Sequence, residues 1–245
     1  MSDETASISN SPHYDVFLAG ELVDLVLPNE RAIHVDRWHA WLNDQELTRN
    51  MEQGMYPTSA RQQEAFLAEL RSTQSRIALM IKPKAEDRVV GICSLSKISH
   101  ATRQADFAMI VARRSESFKS AFYGMEAKCL MTEHAFETLG LDRISSTQSA
   151  ALKDWQRWQI LFGYKLEGVL RKAFRKGHRT YDLLISGCLL EDYLRLKELR
   201  GGRLWPGQEN MMSLIRSLPA ESLEQKFTHT YAEIVEGYYA QIRMA

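Results

Sequence analysis

The chain carries no excess charge of either sign: 31 Lys and Arg stand against 31 Asp and Glu in 245 residues. A balanced surface has no overall field to draw it to a nucleic acid or an acidic membrane, so any electrostatic recognition is local. Cysteine is scarce. Cys93, Cys129 and Cys188 are widely spaced and odd in number, with no CxxC pair or His cluster beside them. That argues against a disulfide framework and against zinc or any other metal, and fits small buried thiols in a reducing compartment. No apolar run approaches the ~20 residues of a membrane span. Met1 to His13 is polar and lacks the apolar segment of a secretory signal. The expectation is a cytoplasmic protein with no nucleic-acid and no membrane partner.

What is present is an ordinary globular composition, 44% apolar and 25% charged, in a chain long enough for a proper core. Residues 1–14 read as a disordered tail, 15–190 as one domain, and 191–245 as a helical extension. Leu22 to Leu27 reads as a first strand closed by Pro28-Asn29, and Val35 to Leu42 as a helix with Trp38 and Trp41 one turn apart. Ser59 caps a packing helix over Ala60 to Leu70. Ile77 to Ile81 and Val89 to Leu95 form a hairpin across a charged turn. Asp154 to Phe162 reads as a short helix, Tyr164 to Val169 and Tyr181 to Leu189 as the last strands. Hairpins together with a single crossover predict an α+β fold, a mixed sheet with helices on both faces. After Pro219, Phe227, Tyr231, Ile234, Tyr238 and Ile242 fall on one helical stripe. Such a face must be buried: against the domain, over a cleft, or in a homodimer with a second copy.

The middle of the chain holds the most informative pattern. A strand over Ala105 to Val111 and a basic turn over Arg113 to Lys119 lead into a helix that begins near Ala121 and stops at Gly140. A strand turning into a helix aims unpaired N–H groups and the positive end of the helix dipole at whatever lies above the turn, a setting for a phosphate. Gly124 is expected to admit a ligand closely, with Arg113, Arg114, Lys119 and Lys128 supplying positive charge. Along the strand, Asp106 is the odd member of a face shared with Ala108 and Ile110. His134, on the helix, reads as structural.

Ala105-Asp106-Phe107-Ala108, Tyr123-Gly124-Met125-Glu126-Ala127 and Ala135 to Ile144 resemble the acyl-CoA-binding core of the GNAT N-acetyltransferases. Phe162-Gly163-Tyr164, Glu167 to Arg171 and Tyr181-Asp182 continue the resemblance, and Trp41 to Asp44, Glu46, Thr48-Arg49 and Met51-Glu52 extend it upstream. Over Leu22 to Leu190 the series is similar to the branch of ribosomal-protein alanine and amino-sugar acetyltransferases. The resemblance implies about seven strands, two of them parallel and splayed to hold a pantetheine arm. It implies acetyl-CoA as co-substrate and transfer of an acetyl group to a primary amine, on a protein N-terminus, other peptide or small-molecule amino sugar. By the same resemblance Ile110, Val111, Lys119, Ser120, Ala121, Phe122, Tyr123, Gly124 and Met125 are the cofactor-binding residues, and Trp38, Trp41, Arg49 and Tyr56 line the acceptor side.

Asp106 aligns with an acidic residue of that branch and is a candidate base, direct or through water, or else a structural carboxylate held by its neighbours. Phe122 stands where the family places a glycine, Leu152 at an asparagine position, and Gln159 at the place of a thiolate-protonating tyrosine. Gln cannot donate a proton as an acid, so Tyr123 and Tyr164 are the substitute candidates, with water as the alternative. Those departures leave a second reading, a GNAT-fold binding or scaffold module without turnover.

Overall fold

The computed structural model describes residues 13–112, 119–221 and 223–243. Strand β1 (Val16–Ala19) and β2 (Val23–Val26) form a hairpin, followed by short helices α1 (Glu30–His34) and α2 (Trp38–Asn43) and by α3 (Ala60–Ser72). Then come β3 (Arg76–Pro83), β4 (Gly91–Ser99), β5 (Gln104–Val111), α4 (Lys119–Glu137) and β6 (Arg143–Ser149). Helix α5 (Lys153–Trp158) runs into a 3₁₀ turn, Gln159–Phe162, and β7 (Lys165–Lys176) and β8 (Arg179–Leu189) complete the sheet. Helices α6 (Leu190–Leu199), α7 (Gln208–Ser217) and α8 (Leu223–Arg243) close the chain.

The sheet is mixed, in the order β1-β2-β3-β4-β5-β6-β8-β7, with helices on both faces. Only β5 and β6 run parallel, because α4 connects them as a crossover. There are eight strands rather than about seven; β1 is a short edge strand with Val16 and Phe17 half exposed, too brief to give a periodic signal. The helix expected over Val35 to Leu42 begins only at Trp38, as α2; Val35 caps the preceding α1, and Arg37 takes a left-handed backbone at φ 55° between the two. Ser59 caps α3 in a reciprocal capping box with Gln62, as its position before Ala60 predicts.

Two cores flank the sheet. On one face α4 lies over β2 to β6, and Phe107, Phe122, Met125, Cys129, Phe136, Ile144, Phe162 and Tyr164 pack together. Tyr193, Leu204, Trp205 and Met211 belong to this same core, so α6 and α7 are packed into it. Glu133 on α4 accepts from the Leu204 amide (2.6 Å), and the Trp205 indole donates to Glu21 (2.9 Å). On the other face α1, α2 and α3 cover Val26, Met80, Val89 and Ala112 with Ile33, Trp38, Trp41 and Leu67.

Glu126 ties α4 to the edge of the sheet. Its buried carboxylate accepts from the amides of Glu21, Leu22 (2.7 Å) and Val23 (3.0 Å) across the β1–β2 turn. Burial raises its pKa, and the three amides oppose that shift by stabilising the charge. His134, buried on the same helix, meets the Phe17 ring edge-on at 5.1 Å. All three cysteines are free and buried. Helix α8 touches α5 and β7 but leaves Phe227, Tyr231, Ile234, Tyr238 and Ile242 about half exposed or more.

Candidate active site

The pairing of β5 with β6 stops after three rungs: Gln104↔Arg143, Ala105↔Ile144 and Asp106↔Ser145. Beyond them β5 keeps its partner β4 as far as Val111, and β6 keeps β8 as far as Ser149. The two parallel strands therefore part into a wedge whose vertex is Asp106 and Ser145. The Ala112 amide donates to the Val90 carbonyl (2.7 Å), which fixes the alternation along β5. Asp106, Ala108 and Ile110 turn their peptides to β4, whereas Phe107, Met109 and Val111 turn theirs the other way. The last rung with Ser145 uses the Phe107 N–H; beyond it the Phe107 carbonyl and the peptides of Met109 and Val111 face the wedge, with no strand pairing among the described residues. Of the two residues expected to bind cofactor through this strand, Val111 faces the wedge. Ile110 does not; its peptide is engaged with Ile92.

Helix α4 follows β5 and begins at Lys119, so its N-terminus, the end of a helix at which amide groups lack intrahelical acceptors, lies toward the open end of the wedge. Arg113 and Arg114 lie outside the described residues. Phe122 is only 1% exposed and packs in the core. With helical angles at this position, the ring points under the helix into the core, so a phenylalanine is accommodated where the resemblance implies a glycine. Met125 is likewise core, while Ala121 and Tyr123 are partly exposed. Gly124 corrects the expectation: a Cβ there would meet Met109 Cε at 3.1 Å and Val111 Cγ2 at 3.2 Å, so the glycine serves close packing of α4 on β5 rather than approach of a ligand.

Asp106 sits at the vertex on the face opposite α4, its side chain 43% exposed and paired with Lys97 Nζ at 2.8 Å. Lys97 itself lies in a bulge, at φ 52°. Ser94, Ser96 and the exposed Ala108 share that face, which makes an open floor of small side chains beside the carboxylate. No hydrogen bond or ring contact among the described residues joins Asp106 to Tyr123 or Tyr164. Tyr164 is 1% exposed and faces Lys128, and burial pushes its phenol well above the usual range.

Lys128 is the largest departure from expectation. It supplies no charge to the mouth: it is 0% exposed, boxed by the rings of Phe107, Trp155, Phe162 and Tyr164, with Nζ 3.5 Å from the Tyr164 centroid. Its Nζ donates to Gln159 Oε1 (2.6 Å), and burial lowers its pKa to about 7. Gln159 in turn donates to Gln148 Oε1 on β6 (3.0 Å). A lysine among apolar helix positions was the one available sequence signal for this cluster.

Of the residues expected to line the acceptor side, Trp38 and Trp41 are buried in the second core, Trp38 edge-on to Phe66 at 5.7 Å. Trp41 also lines a cavity of about 200 Å³ with Val35, Asp36, Arg88, Val89, Val90 and Ala112, at the open end of β5. Arg49 is exposed and paired with Glu46, and Tyr56 is 83% exposed. A residue unmarked in the sequence organises this side: Lys176, at the end of β7, donates to the carbonyls of Thr48 (2.7 Å), Met51 (3.4 Å) and Gln53 (2.9 Å). It clasps the 44–55 segment to the β7–β8 hairpin.

A parted parallel pair with a helix N-terminus at its mouth has a counterpart in known proteins. The family model described as the acetyltransferase (GNAT) domain matches residues 24–151, just over half of the chain, and the protein belongs to that family. Among solved structures, a spermidine N-acetyltransferase from Vibrio cholerae in complex with CoA and spermine superimposes with a TM-score of 0.60 at 16% identity, over 71% of this chain and 99% of that one. The microcin C7 self-immunity acetyltransferase in complex with acetyl-CoA and AMP gives 0.57 at 16%, over 69% and 93%. A GNAT-family acetyltransferase from Bacillus anthracis gives 0.59 at 15%, over 71% and 99%. At these identities the likeness is one of fold. A comparison with curated proteins finds no match. Among the described residues no helix is long and apolar enough to cross a membrane, and no His, Cys, Asp and Glu side chains gather as a metal site.

Proposed function

We propose that the protein is an N-acetyltransferase that takes an acetyl group from acetyl-CoA and gives it to a primary amine. The observation that carries this reading is the three-rung ladder between β5 and β6, which leaves the Phe107 carbonyl and the peptides of Met109 and Val111 turned to an open wedge. An extended arm carrying amide groups fits there as an added strand does, and a diphosphate fits the first-turn amides of α4. The Phe122 ring, turned into the core, does not obstruct that fit. Bound there, acetyl-CoA supplies an activated acyl group. The chain's own work is then to hold the thioester at the vertex and bring a free amine to it from the opposite face.

Asp106 is at that vertex, open to solvent and beside Lys97. In this reading it receives the proton the amine sheds, directly or through water. The amine enters over Ser94, Ser96 and Ala108, bounded by the segment that Lys176 clasps. Neither Gln159 nor the deeply buried Tyr164 is assigned the thiolate's proton; water at the open vertex serves that step. Acceptors of the class are peptide N-termini, amino sugars and polyamines. The α8 stripe is assigned to a homodimer, since five apolar side chains about half exposed or more on one helix exceed what a solvated surface carries.

Isothermal titration with acetyl-CoA tests the first part, and a thiol-release assay over peptides, nucleotide-linked amino sugars and polyamines tests the second. Absence of binding at millimolar acetyl-CoA sinks the proposal. Binding without turnover on any amine makes the domain an acyl-CoA-binding module instead.

A further inference from the structure

The side chains of Lys128, Gln159 and Gln148 form a line that runs from the near wall of the wedge to the far one. Lys128 Nζ is 4.9 Å from the ring of Phe107 on β5, and Gln148 is on β6 in the stretch that has left β5. Two amides in a row are ambiguous in general, since oxygen and nitrogen can be exchanged by a flip. Here the lysine removes the ambiguity. In its charged form the Lys128 ammonium has no lone pair and can only donate, which forces Oε1 of Gln159 toward it, turns Gln159 Nε2 to Gln148 and makes Gln148 present its own Oε1. The free end of the line is then fixed as Gln148 Nε2, a donor. Gln148 is 8% exposed, and its Nε2 is buried with no hydrogen-bond partner among the described residues. A buried donor left unmade is costly, and an acceptor on a ligand recovers that cost. The cation at the other end polarises both amides in the direction that strengthens this donor.

We propose that Gln148 is a binding residue of the wedge: its Nε2 donates to a carbonyl oxygen of the acyl-pantetheine arm, with Gln159 and Lys128 as positioning residues that set the direction of the line. The inference rests on the acetyl-CoA reading above. It gives Gln159 a task that needs no acid, which accounts for an amide at the place where the resemblance implies a tyrosine.

Calorimetry on the full chain is the test. Gln148→Leu is expected to bind acetyl-CoA about tenfold more weakly, the size of one buried hydrogen bond. It should bind adenosine 3′,5′-bisphosphate, which has no arm, as the wild type does. CoA separates the two carbonyl sources: a loss shared by CoA assigns the donor to an amide of the arm, and a loss confined to acetyl-CoA assigns it to the thioester. The second measurement needs no variant of Gln148 to fold. In ¹⁵N spectra of the wild type, the Gln148 side-chain NH₂ pair should shift with acetyl-CoA and stay in place with the bisphosphate. Lys128→Met should move the same pair without ligand, as loss of the fixed orientation requires. Wild-type binding of acetyl-CoA with no change in Gln148→Leu and an unmoved NH₂ pair overturns this inference alone. If the wild type fails to bind acetyl-CoA, the acetyltransferase reading falls, and this one with it.

Discussion

Replacing Lys128 by methionine, a side chain of similar length and no charge, exchanges a buried amine for a thioether among four aromatic rings. An ordinary lysine titrates near 10.5, and burial brings this one to about 7. At about 1.4 kcal/mol per pH unit, keeping the ammonium in that box costs the fold about 5 kcal/mol once the group is fully charged. The ring faces oppose this, since a desolvated cation–π contact returns about 2 kcal/mol. A span of about 3 to 5 kcal/mol remains.

The sign follows from proton binding. Between about 7 and 10.5 the unfolded chain carries a proton on this lysine that the folded chain has released, so stability rises with pH across that window. Below it both states are charged and the penalty is complete; above it both are neutral and the penalty is gone. Lys128→Met abolishes this dependence. Its stability relative to wild type should therefore be greatest near pH 6 and should shrink by about 3 to 5 kcal/mol by pH 10. Losses that do not titrate, such as the unpaired Gln159 oxygen, displace the whole difference without tilting it. The cysteines, whose pKa values burial raises, contribute to both proteins and cancel to first order. Urea unfolding of the two proteins from pH 6 to 10 is the assay, and parallel curves refute the reasoning.

Asp106→Asn should lower turnover at least tenfold with little change in acetyl-CoA affinity, and unchanged turnover in a thiol-release assay removes the carboxylate from the mechanism. Lys176→Met releases three backbone carbonyls of the acceptor-side segment, so the Michaelis constant for the amine should rise severalfold while calorimetry with acetyl-CoA is unaffected. Glu126→Ala leaves three amides of the β1–β2 turn unsatisfied; a loss of roughly 3 kcal/mol or more in urea unfolding is expected, and a loss below about 1 kcal/mol would contradict the geometry. Tyr238→Asp with Ile242→Asp places charge on the outer stripe of α8; the proposed homodimer predicts that the wild type sediments as a dimer and this variant as a monomer, and a monomeric wild type refutes it.

Much of the fold was legible because its signals are local. The Ser59 cap, the hairpin of β3 and β4, and Gly140 at φ 64° after α4 are each decided within a few residues. The parting of β5 from β6 was legible only through resemblance, since nothing in Phe107 to Val111 distinguishes a strand paired on one side from a strand paired on both. Side-chain destinations were the hard part. Lys128 reads as a helix-surface cation until the four rings, drawn from β5, α5, the 3₁₀ turn and the residue before β7, are assembled around it. Lys176 and Thr48 are far apart in sequence, and only the folded chain makes them neighbours. The stripe of α8 was legible, while its covering depends on contacts that no periodicity encodes.

The short ladder between β5 and β6 also has a mechanical consequence. Pulled across its strands, the interior of the sheet is thinly joined where three rungs and the α4 crossover link its two halves. A ligand that pairs with the exposed peptides of β5 bridges that seam as a stitch does. Resistance to heat, to proteases and to force should therefore climb with the logarithm of ligand concentration above its dissociation constant. The empty protein should come apart first along the line that makes it useful.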